Sequence, residues 1–459
     1  MKYIGIDLGS SYIKAVLIDI GNNTVVGISN MKAPSNEKGL DTYKYEIQAS
    51  EIVNIVKNLI DKYTKSYDDI EGIILSTQMH GFIYSTPNKE DMYISWQDMR
   101  SLTNKKGADE NYISFLSKKI TQESMLQQGV YIKPSLGICN LYAMLEEEQD
   151  TPRDGTFYTL GSYVINALTG QNVAHIQNAA PSGIANIVRV EKANNLLAAL
   201  NLNDITYPRI TNKDYEACGI YKSNGLDLKV FPDYGDMQIS ILGCDIGPGD
   251  VVINTATAAQ VIRYSDIFLP SNDYEIRPFF DGSYLYTISN MPAGRNLDVL
   301  VNFFKEIVYE LTGNKVDSQQ IWKYFHKGTE YSNDELVVDI NFYKNPYSLN
   351  GGSIRNITHN NLRMSIIFNA AIKNMAETYW RFIKKLGAEP SEIDQIICAG
   401  GVNWRTPELC DAIGKVSNKP WRLSSMENES IAGLFRLALV CSGRFKNMHE
   451  CMEMPISIK

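Results

Sequence analysis

The chain opens with the stretch KYIGIDLGSSYIKAVLIDIGNNTVVGISNMKA, residues 2–33. Three apolar runs are separated at residues 9–11 (Gly-Ser-Ser) and 21–23 (Gly-Asn-Asn). Glycine and asparagine turns between apolar runs predict three strands joined by tight turns. An amphipathic helical stripe follows over residues 50–63, and a buried strand over residues 70–76. Hairpins followed by alternating helix and strand indicate a mixed α/β sheet.

The same pattern starts again near Gly249, which predicts a second α/β half. Its predicted strands cover residues 250–254, 260–264 and 393–399, and its predicted helices cover residues 296–311 and 362–386, each ending next to a glycine. No Pro/Ser-rich linker separates the halves, which indicates a tight hinge. We expect two domains, residues 1–243 and 244–459.

Composition excludes several classes of function. The 459 residues carry 44 Lys and Arg against 52 Asp and Glu, a formal net charge of 44 − 52 = −8. This balance argues against a nucleic-acid binder and against docking on an anionic membrane. The seven cysteines form no CxxC pair, and no apolar run is long enough to span a membrane. We expect a reduced, cytoplasmic protein without a secretion signal.

Three turns in the sequence are candidates for binding a nucleotide. Asp7 lies inside an apolar strand, just before the Gly-Ser-Ser turn at residues 9–11 and Lys14. The backbone N–H groups and hydroxyls of that turn can bind phosphate oxygens. An acid beside such a turn is a natural ligand for Mg²⁺. The turn Thr255-Ala256-Thr257 and the pair Gly400-Gly401 are candidates for a second phosphate turn and an adenine shelf. Each alone is typical of an ordinary turn. Their order resembles the fold of actin, sugar kinases and heat-shock chaperone ATPases, and no Walker or protein-kinase motif occurs.

Polar clusters after two predicted strands are candidates for substrate recognition. Gln78 and His80 follow one strand, and Trp96 and Asp98 follow the next. Ligands of α/β sheets bind beyond the carboxyl ends of strands. Trp96 can stack on a sugar ring, although a core tryptophan and a loop histidine are the simpler interpretations. Asp236, near the domain boundary, is a candidate base for an attacking hydroxyl, with a solvated turn residue as its alternative.

Taken together, these motifs resemble the FGGY family of carbohydrate kinases over nearly the whole chain, and within it the sedoheptulokinases. The resemblance rests on the segments Gln78-Met79-His80-Gly81, Trp96-Gln97-Asp98, Gln177-Asn178-Ala179-Ala180, Gly235-Asp236-Met237-Gln238, Ile253-Asn254-Thr255-Ala256-Thr257-Ala258-Ala259-Gln260, Arg277-Pro278-Phe279-Phe280-Asp281 and Gly400-Gly401. Xylulokinases share the first segment but usually carry Asn where Gln97 stands. The resemblance implies two ribonuclease H-like domains, of the actin, hexokinase and sugar-kinase ATPase fold, with a cleft between them.

The resemblance also implies roles for individual residues. Asp236 matches the catalytic base and Asp7 the acid on the metal side. The implied sugar-binding positions are Gln78, Met79, His80, Trp96, Asp98, Asn178 and Gln238. The implied ATP-binding positions are Gly9, Ser10, Ser11, Lys14, Thr255, Thr257, Gly294, Gly400 and Gly401. Two departures stand out: Thr-Ala-Thr lacks the family's usual glycine at residues 255–257, and bulky Trp404 follows the adenine shelf.

The expected reaction transfers a phosphoryl group from ATP, with Mg²⁺, to a terminal hydroxyl of a ketose, foremost sedoheptulose. Xylulose or another ketose or polyol is the alternative. A chaperone-like or actin-like ATPase and a sugar sensor without turnover are the rival functions. The expected partner is a small sugar, with no nucleic acid and no membrane. Because dimers are common in the family, the resemblance allows a homodimer.

Overall fold

The computed structural model describes residues 1–148, 150–326, 336–343 and 351–452. The chain divides into two compact units. The first unit consists of residues 1–243, 266–285 and 430–459, and the second of residues 244–265 and 286–429. The division of the sequence into two family domains at residues 243 and 244 stays a prediction. Among the described residues, no helix has both the length and the apolar character that crossing a membrane requires.

The elements are numbered in chain order. The strands are β1 (Lys2–Leu8), β2 (Tyr12–Asp19), β3 (Thr24–Lys32), β4 (Glu46–Gln48), β5 (Ile70–Thr77), β6 (Phe82–Ser85), β7 (Met92–Ile94), β8 (Thr156–Thr159), β9 (Val173–His175), β10 (Ala185–Asn186), β11 (Glu191–Lys192), β12 (Arg209–Thr211), β13 (Gly219–Ser223), β14 (Leu226–Gly235), β15 (Asp250–Thr255), β16 (Ala259–Ser265), β17 (Glu275–Pro278), β18 (Tyr284–Met291), β19 (Val337–Asp339), β20 (Ser353–Arg355), β21 (Gln395–Ala399) and β22 (Trp421–Leu423). The helices are α1 (Ala49–Thr64), α2 (Tyr112–Lys119), α3 (Gln122–Leu126), α4 (Gly137–Glu147), α5 (Leu160–Thr169), α6 (Ile176–Ala179), α7 (Asn194–Ala199), α8 (Asp236–Leu242), α9 (Gly294–Thr312), α10 (Ser318–His326), α11 (Met364–Ile383), α12 (Gly401–Arg405), α13 (Pro407–Ser417), α14 (Glu429–Cys441) and α15 (Met448–Met452).

The main sheet of the first unit has the strand order β13-β14-β5-β1-β2-β3. The predicted hairpins at residues 2–33 are confirmed, because β1, β2 and β3 pair antiparallel in sequence order. The strands β5 and β14 continue the sheet parallel to β1. The carboxyl ends of β1, β5 and β14 therefore lie side by side at one edge of the sheet.

Five strands of the second unit's sheet follow the order β18-β16-β15-β21-β22. Here β15 pairs antiparallel with β16 and parallel with β21, which pairs parallel with β22. This order repeats the arrangement of β3, β2, β1, β5 and β14, so the predicted second copy of the pattern is confirmed. The turn between β15 and β16 thus corresponds to the turn between β1 and β2.

The predicted helices are present with shifted ends. The helix α1 buries Ile52, Val56 and Leu59 in one core with the inner face of β1 and β5. The helix α9 ends at Gly313, whose φ of 68° is the left-handed cap that glycine favours. The helix α11 is shorter than the predicted span of residues 362–386, because Leu386 already lies in the turn before Gly387.

Candidate active site

The strand register of the first sheet brings the predicted acids together. Asp7 in β1 is paired with Ser76 in β5, and Ser76 is also paired with Tyr234 in β14. Gly235 is paired with Thr77, so Gln78 and Asp236 each continue the chain just beyond the same edge. Parallel neighbours thereby gather residues that are more than 200 positions apart in sequence.

Asp7 is a partly buried carboxylate held in place by a hydroxyl. The Ser76 hydroxyl donates to Asp7 Oδ1 over 2.9 Å. Lys14 is the antiparallel partner of Asp7 on β2. Burial raises the pKa of Asp7, while the Ser76 hydrogen bond and the charge of Lys14 oppose that rise. The acid is oriented by Ser76 and also receives a hydrogen bond from Ser430, and a carboxylate held in this way is suited to a cation.

Asp236 is the first residue of α8, and its side chain is half-buried. The backbone N–H of Met237 donates to Asp236 Oδ1 over 2.8 Å. Burial and the negative charge of Asp7 raise the pKa of Asp236 to about 7, while the charge of Arg277 opposes the rise. A carboxylate with a pKa near neutrality can accept a proton from a hydroxyl and later release it.

The segment around His80 lies at the end of β5, where it was predicted. The His80 backbone is left-handed, with a φ of 72°. Its Nδ1 lies 2.8 Å from the carbonyl oxygen of Pro181, so Nδ1–H is the donor and Nε2 is left as an acceptor. Burial, together with the charges of Lys133 and Arg277, lowers the pKa of His80 well below its ordinary value. The imidazole is therefore neutral at neutral pH.

Trp96 is joined to this segment by one hydrogen bond. Its Nε1 donates to Gln78 Oε1 over 3.2 Å, and the indole is 40% exposed. An exposed indole that is fixed by its N–H offers one ring face to a ligand. The neighbouring Met79 lies close to Gly235, whose missing side chain leaves room for the Met79 sulfur and for the amide of Gln238.

The structure disfavours the predicted sugar contact of Asp98. Its side chain is fully buried, and both of its oxygens accept from Arg100, Oδ1 from Nε over 2.8 Å and Oδ2 from Nη2 over 2.8 Å. Oδ2 also accepts from the Tyr45 backbone N–H. With every strong acceptor position in use, Asp98 holds its loop to the fold, and this corrects the expectation that it reads a hydroxyl directly.

Asn178 and Gln238 are buried close to the same strand ends. Asn178 Nδ2 donates to the Thr77 hydroxyl over 2.9 Å and to the Asp233 carbonyl over 2.7 Å. Gln238 Nε2 donates to the Pro278 carbonyl over 3.1 Å. Within the residues that the structure describes, the oxygens Asn178 Oδ1 and Gln238 Oε1 have no hydrogen-bond partner. Buried polar atoms without partners are uncommon, so both amides retain the capacity to bind a polar ligand.

Three charged residues near His80 were given no role from the sequence, although one of them, Arg277, belongs to a segment that carries the resemblance. Glu275 and Arg277 lie two positions apart on β17, and Lys133 Nζ donates to both Glu275 oxygens over 2.7 and 2.8 Å. Arg277 Nη2 donates to Glu275 Oε2 over 2.7 Å. Although burial opposes it, the positive charge of Arg277 and Lys133 lowers the pKa of Glu275 to about 2. The available signal was the alternation Glu-Ile-Arg, which puts two charges on one face of a short strand.

The predicted first phosphate turn joins β1 to β2. Ser10 and Ser11 are exposed in this turn. A side chain on Gly9 would lie 2.8 Å from the Tyr12 carbonyl oxygen, so the tight turn requires glycine there. Free hydroxyls and backbone on a turn next to Asp7 are compatible with binding phosphate oxygens.

The second unit contains a cavity of about 680 Å³. It is lined by Ala256, Thr257, Gly294, Arg295, Leu297, Asp298, Ser318, Gln319, Trp322, Lys323, Gly401, Val402, Arg405 and Thr406. The volume lies within the range of small-molecule and cofactor sites. Three of the predicted ATP-binding residues, Thr257, Gly294 and Gly401, lie on its wall, together with two arginines and one indole.

Two glycines allow the backbone to come close at this cavity. A Cβ on Gly294 would lie 2.7 Å from the Ala256 carbonyl oxygen, to which the Gly294 N–H donates over 3.0 Å. Gly400 has a φ of 85°, and a Cβ there would lie 2.5 Å from the Thr255 carbonyl oxygen. Residues with side chains do not fit at these positions. The β15–β16 turn, the start of α9 and the end of β21 are therefore packed backbone against backbone.

The Thr-Ala-Thr turn does not need the glycine that it lacks, because none of the residues 255–258 has a positive φ. Its two threonines differ. Thr255 is fully buried, with its hydroxyl 3.3 Å from Asn403 Nδ2, whereas Thr257 is exposed at the cavity. Thr257 is thus the better candidate for a phosphate contact. Trp404 does not line the cavity, because its indole N–H donates to the Ser424 hydroxyl over 3.1 Å.

The carboxylates of Asp7 and Asp236 are better suited to Mg²⁺, which also binds water and phosphate, than to a metal ion held by protein side chains alone. Among the described residues, no three His, Cys, Asp or Glu side chains form a group that could hold a metal ion. Mg²⁺ that serves phosphates keeps several waters and needs only one or two carboxylates. Asp7, whose negative charge contributes to the raised pKa of Asp236, meets that requirement.

Comparison with known proteins agrees with this architecture. The fold is the mixed α/β fold of sugar kinases. The xylulose kinase from Rhodospirillum rubrum matches with a TM-score of 0.84 and 14% identity, over 99% of this chain and 92% of that chain. The gluconate kinase from Lactobacillus acidophilus matches with a TM-score of 0.82 and 18% identity, over 98% of this chain and 91% of that chain. The glycerol kinase from Plasmodium falciparum, solved with ADP, matches with a TM-score of 0.81 and 15% identity, over 98% of this chain and 92% of that chain.

No curated protein sequence matches the chain. The model of the N-terminal domain of the FGGY family of carbohydrate kinases matches residues 2–230. These residues contain β1, the predicted phosphate turn after it, the His80 segment and the first half of β14. Together with the repeated sheet and the fold shared with sugar kinases, the match shows that the chain belongs to the FGGY family of carbohydrate kinases.

Proposed function

We propose that the protein transfers the γ-phosphoryl group of ATP to a terminal hydroxyl of a ketose. Sedoheptulose is the first candidate acceptor, and xylulose is the second. The observation that carries the proposal is the half-buried Asp236, which stands at the same strand edge as Asp7 with its pKa raised to about 7. A family of carbohydrate kinases needs a base of this kind for an attacking hydroxyl.

Asp236 is proposed to orient the acceptor hydroxyl and to take its proton. The hydrogen bond from the Met237 N–H fixes Oδ1, which leaves Oδ2 for the hydroxyl. The negative charge of Asp7 makes Asp236 a stronger base, because it disfavours the ionised form. Burial is the larger cause of the raised pKa and the charge of Asp7 the second, while the hydrogen bond from the Met237 N–H in the first turn of α8 opposes the rise.

His80, Trp96 and Gln78 are proposed to bind the acceptor sugar. His80 Nε2 accepts from a sugar hydroxyl, since its Nδ1 is engaged with Pro181. Trp96 presents an apolar ring face to the C–H groups of the sugar. The preference for sedoheptulose is supported by the sequence segments around Gln97 and Thr255 rather than by pocket shape.

ATP is proposed to bind the second unit's cavity, where the phosphates meet Thr257 and the backbone at Gly294. The purine lies beside Gly401, the counterpart of the family's adenosine motif. Mg²⁺ would be held by Asp7 and would neutralise phosphate charge during transfer. Lys14, paired with Asp7 across β1 and β2, adds positive charge near the same carboxylate.

The test is ADP release by the purified protein with MgATP. The panel comprises sedoheptulose, D-xylulose, D-ribulose, L-fuculose, erythritol and glycerol. We expect one ketose to raise the rate well above the sugar-independent rate, and sedoheptulose to give the highest kcat/KM. A leading response to xylulose would replace the first candidate by the second. Silence across the panel, with ATP binding shown separately, would contradict the proposal and favour a sugar sensor. ATPase activity stimulated by peptide rather than sugar would favour the chaperone-like alternative.

A further inference from the structure

Arg277 is a buried arginine whose hydrogen bonding is incomplete. Arg277 is 3% exposed, and its Nη2 donates to Glu275 Oε2 over 2.7 Å. Its Nε and Nη1 atoms have no hydrogen-bond partner in the described part of the chain. These two atoms carry three of the five N–H donors of a guanidinium. Charged donors that are buried without acceptors are strongly unfavourable, so a partner for them is expected.

Another buried arginine of the same unit shows the contrast. Arg100 donates from Nε and Nη2 to Asp98 and from Nη2 to Glu46, so two carboxylates face its single positive charge, although its Nη1 also lacks a partner among the described residues. In the described part of the chain, the carboxylate paired with Arg277 is that of Glu275, which Arg277 shares with Lys133. Two positive groups and one negative group leave the cluster with one net positive charge. The cluster is therefore suited to an electron-rich oxygen that the protein does not supply.

The cluster lies close to the residues of the candidate active site. The charge of Arg277 lowers the pKa of Asp236 and, with Lys133, that of His80. Such effects require the groups to be near one another in a poorly solvated region. Gln238, two residues after Asp236, donates to Pro278, the residue that follows Arg277. The guanidinium thus lies near both His80 and Asp236, the residues proposed to contact the acceptor.

We propose that Arg277 is a substrate-binding residue that donates Nε and Nη1 to an unprotonated oxygen of the acceptor, either a carbonyl or a carboxylate oxygen. The inference rests on the proposed function, because it takes the first unit to bind the acceptor. It names the substrate class more narrowly, since a charged donor discriminates in favour of carbonyl and carboxylate oxygens over hydroxyls. Ketoses and sugar acids satisfy this requirement, and polyols do not.

The test measures sugar binding by calorimetry without nucleotide. The probes are sedoheptulose, D-xylulose, D-xylonate and xylitol, of which only xylitol lacks an unprotonated oxygen. For the wild-type protein, we expect a Kd for a ketose or the sugar acid at least about 10-fold below that for xylitol. The strongest of the first three probes shows whether the oxygen belongs to a carbonyl or a carboxylate.

Arg277→Gln and Arg277→Lys are compared with Arg189→Gln, a control at an exposed arginine that pairs with Glu191. We expect Arg277→Gln to raise the Kd by about 10- to 100-fold. The melting temperature should change little, because the Lys133–Glu275 pair remains. Arg277→Lys should bind with intermediate affinity, and it serves as the test variant if Arg277→Gln does not fold. Arg189→Gln should bind as the wild type does.

Three results would overturn the inference: no binding of any probe, xylitol binding as tight as that of the ketoses, or a Kd within twofold of the wild type in both folded Arg277 variants. The assay contains no ATP, so it is separate from the kinase test. Binding that depends on Arg277 without ADP release would uphold the inference and contradict the kinase proposal. ADP release together with sugar binding that does not depend on Arg277 would contradict the inference and uphold the kinase proposal.

Discussion

Ser76 and Asp7 face each other across two adjoining parallel strands, and the serine hydroxyl donates to the aspartate over 2.9 Å. The hydrogen bond favours the ionised carboxylate, against the burial that raises its pKa. We expect Ser76→Ala to lower kcat by about 10-fold and stability by about 1.5–3 kcal/mol, as for the loss of one hydrogen bond to a charged group. Steady-state kinetics and urea denaturation measure both effects. The matched control is Ser66→Ala in an exposed turn; equal kinetics in the two variants would contradict a role for Ser76.

Asp236→Asn is expected to keep the fold and to lower kcat by about 10²- to 10⁴-fold, the usual contribution of a positioned base. The amide is nearly isosteric, and its oxygen can still accept from the Met237 N–H. Kinetics with the best ketose give kcat, and circular dichroism with thermal melting checks the fold. Asp227→Asn, at an exposed residue paired with Lys222, is the control. Near wild-type turnover in Asp236→Asn would remove this residue from the role.

The pH dependence of kcat/KM for the sugar should follow the ionisation of Asp236. The raised pKa, about 7, means that the proton-accepting carboxylate is depleted below neutrality, so kcat/KM should rise with pH through about 7. Because the charge of Arg277 lowers this pKa, Arg277→Gln should move the midpoint to higher pH. A profile that is flat between pH 6 and 8, or a midpoint that moves down in the variant, would contradict this assignment.

Gly294→Ala tests the close backbone approach at the second unit's cavity, which is proposed to bind ATP. The added methyl group would lie 2.7 Å from the Ala256 carbonyl oxygen, which must shift to make room. We expect a loss of about 1–3 kcal/mol in stability and at least about a 10-fold rise in the Kd for ADP, with sugar binding unchanged. Calorimetry with each ligand separates the two sites. Gly21→Ala, in a turn with space for a methyl group, should change neither value.

The stability of the folded protein at low pH is expected to depend on Glu275, which is paired with Lys133 and Arg277. The folded-state pKa of Glu275 is about 2, below the ordinary 4.5, so its contribution is present above pH 4.5 and is lost as pH falls towards 2. Glu275→Gln leaves two buried cations without their carboxylate, and we expect a loss of about 3–5 kcal/mol at pH 7. Urea denaturation at pH 7 and pH 3 should show this difference shrinking in acid. The control is Glu90→Gln at an exposed site; a difference that grows in acid would contradict the assignment.

The strands and the glycine turns were predictable from the sequence because each depends on residues that are close together in the chain. The hairpins at residues 2–33 follow from apolar runs between Gly and Asn turns, and the acids follow from their position at strand ends. The function of Asp98 was not predictable, since its burial depends on how Arg100 folds back onto it. Lys133 and Glu275 are 142 residues apart, and only the folded chain joins them. The requirement at Gly294 likewise comes from a carbonyl 38 positions earlier in sequence.

At His80, a less stable backbone conformation coincides with a side chain that is proposed to bind the sugar. A residue other than glycine that adopts the left-handed region is less stable there by about 1–2 kcal/mol, and His80 has a φ of 72°. Glycine at position 80 would relieve that strain, but it would remove the imidazole and its bond to Pro181. The chain thus retains a less stable backbone where a ring nitrogen is available to a ligand. A stabilising substitution at this position would be expected to weaken sugar recognition, a trade-off between stability and activity located in one backbone angle.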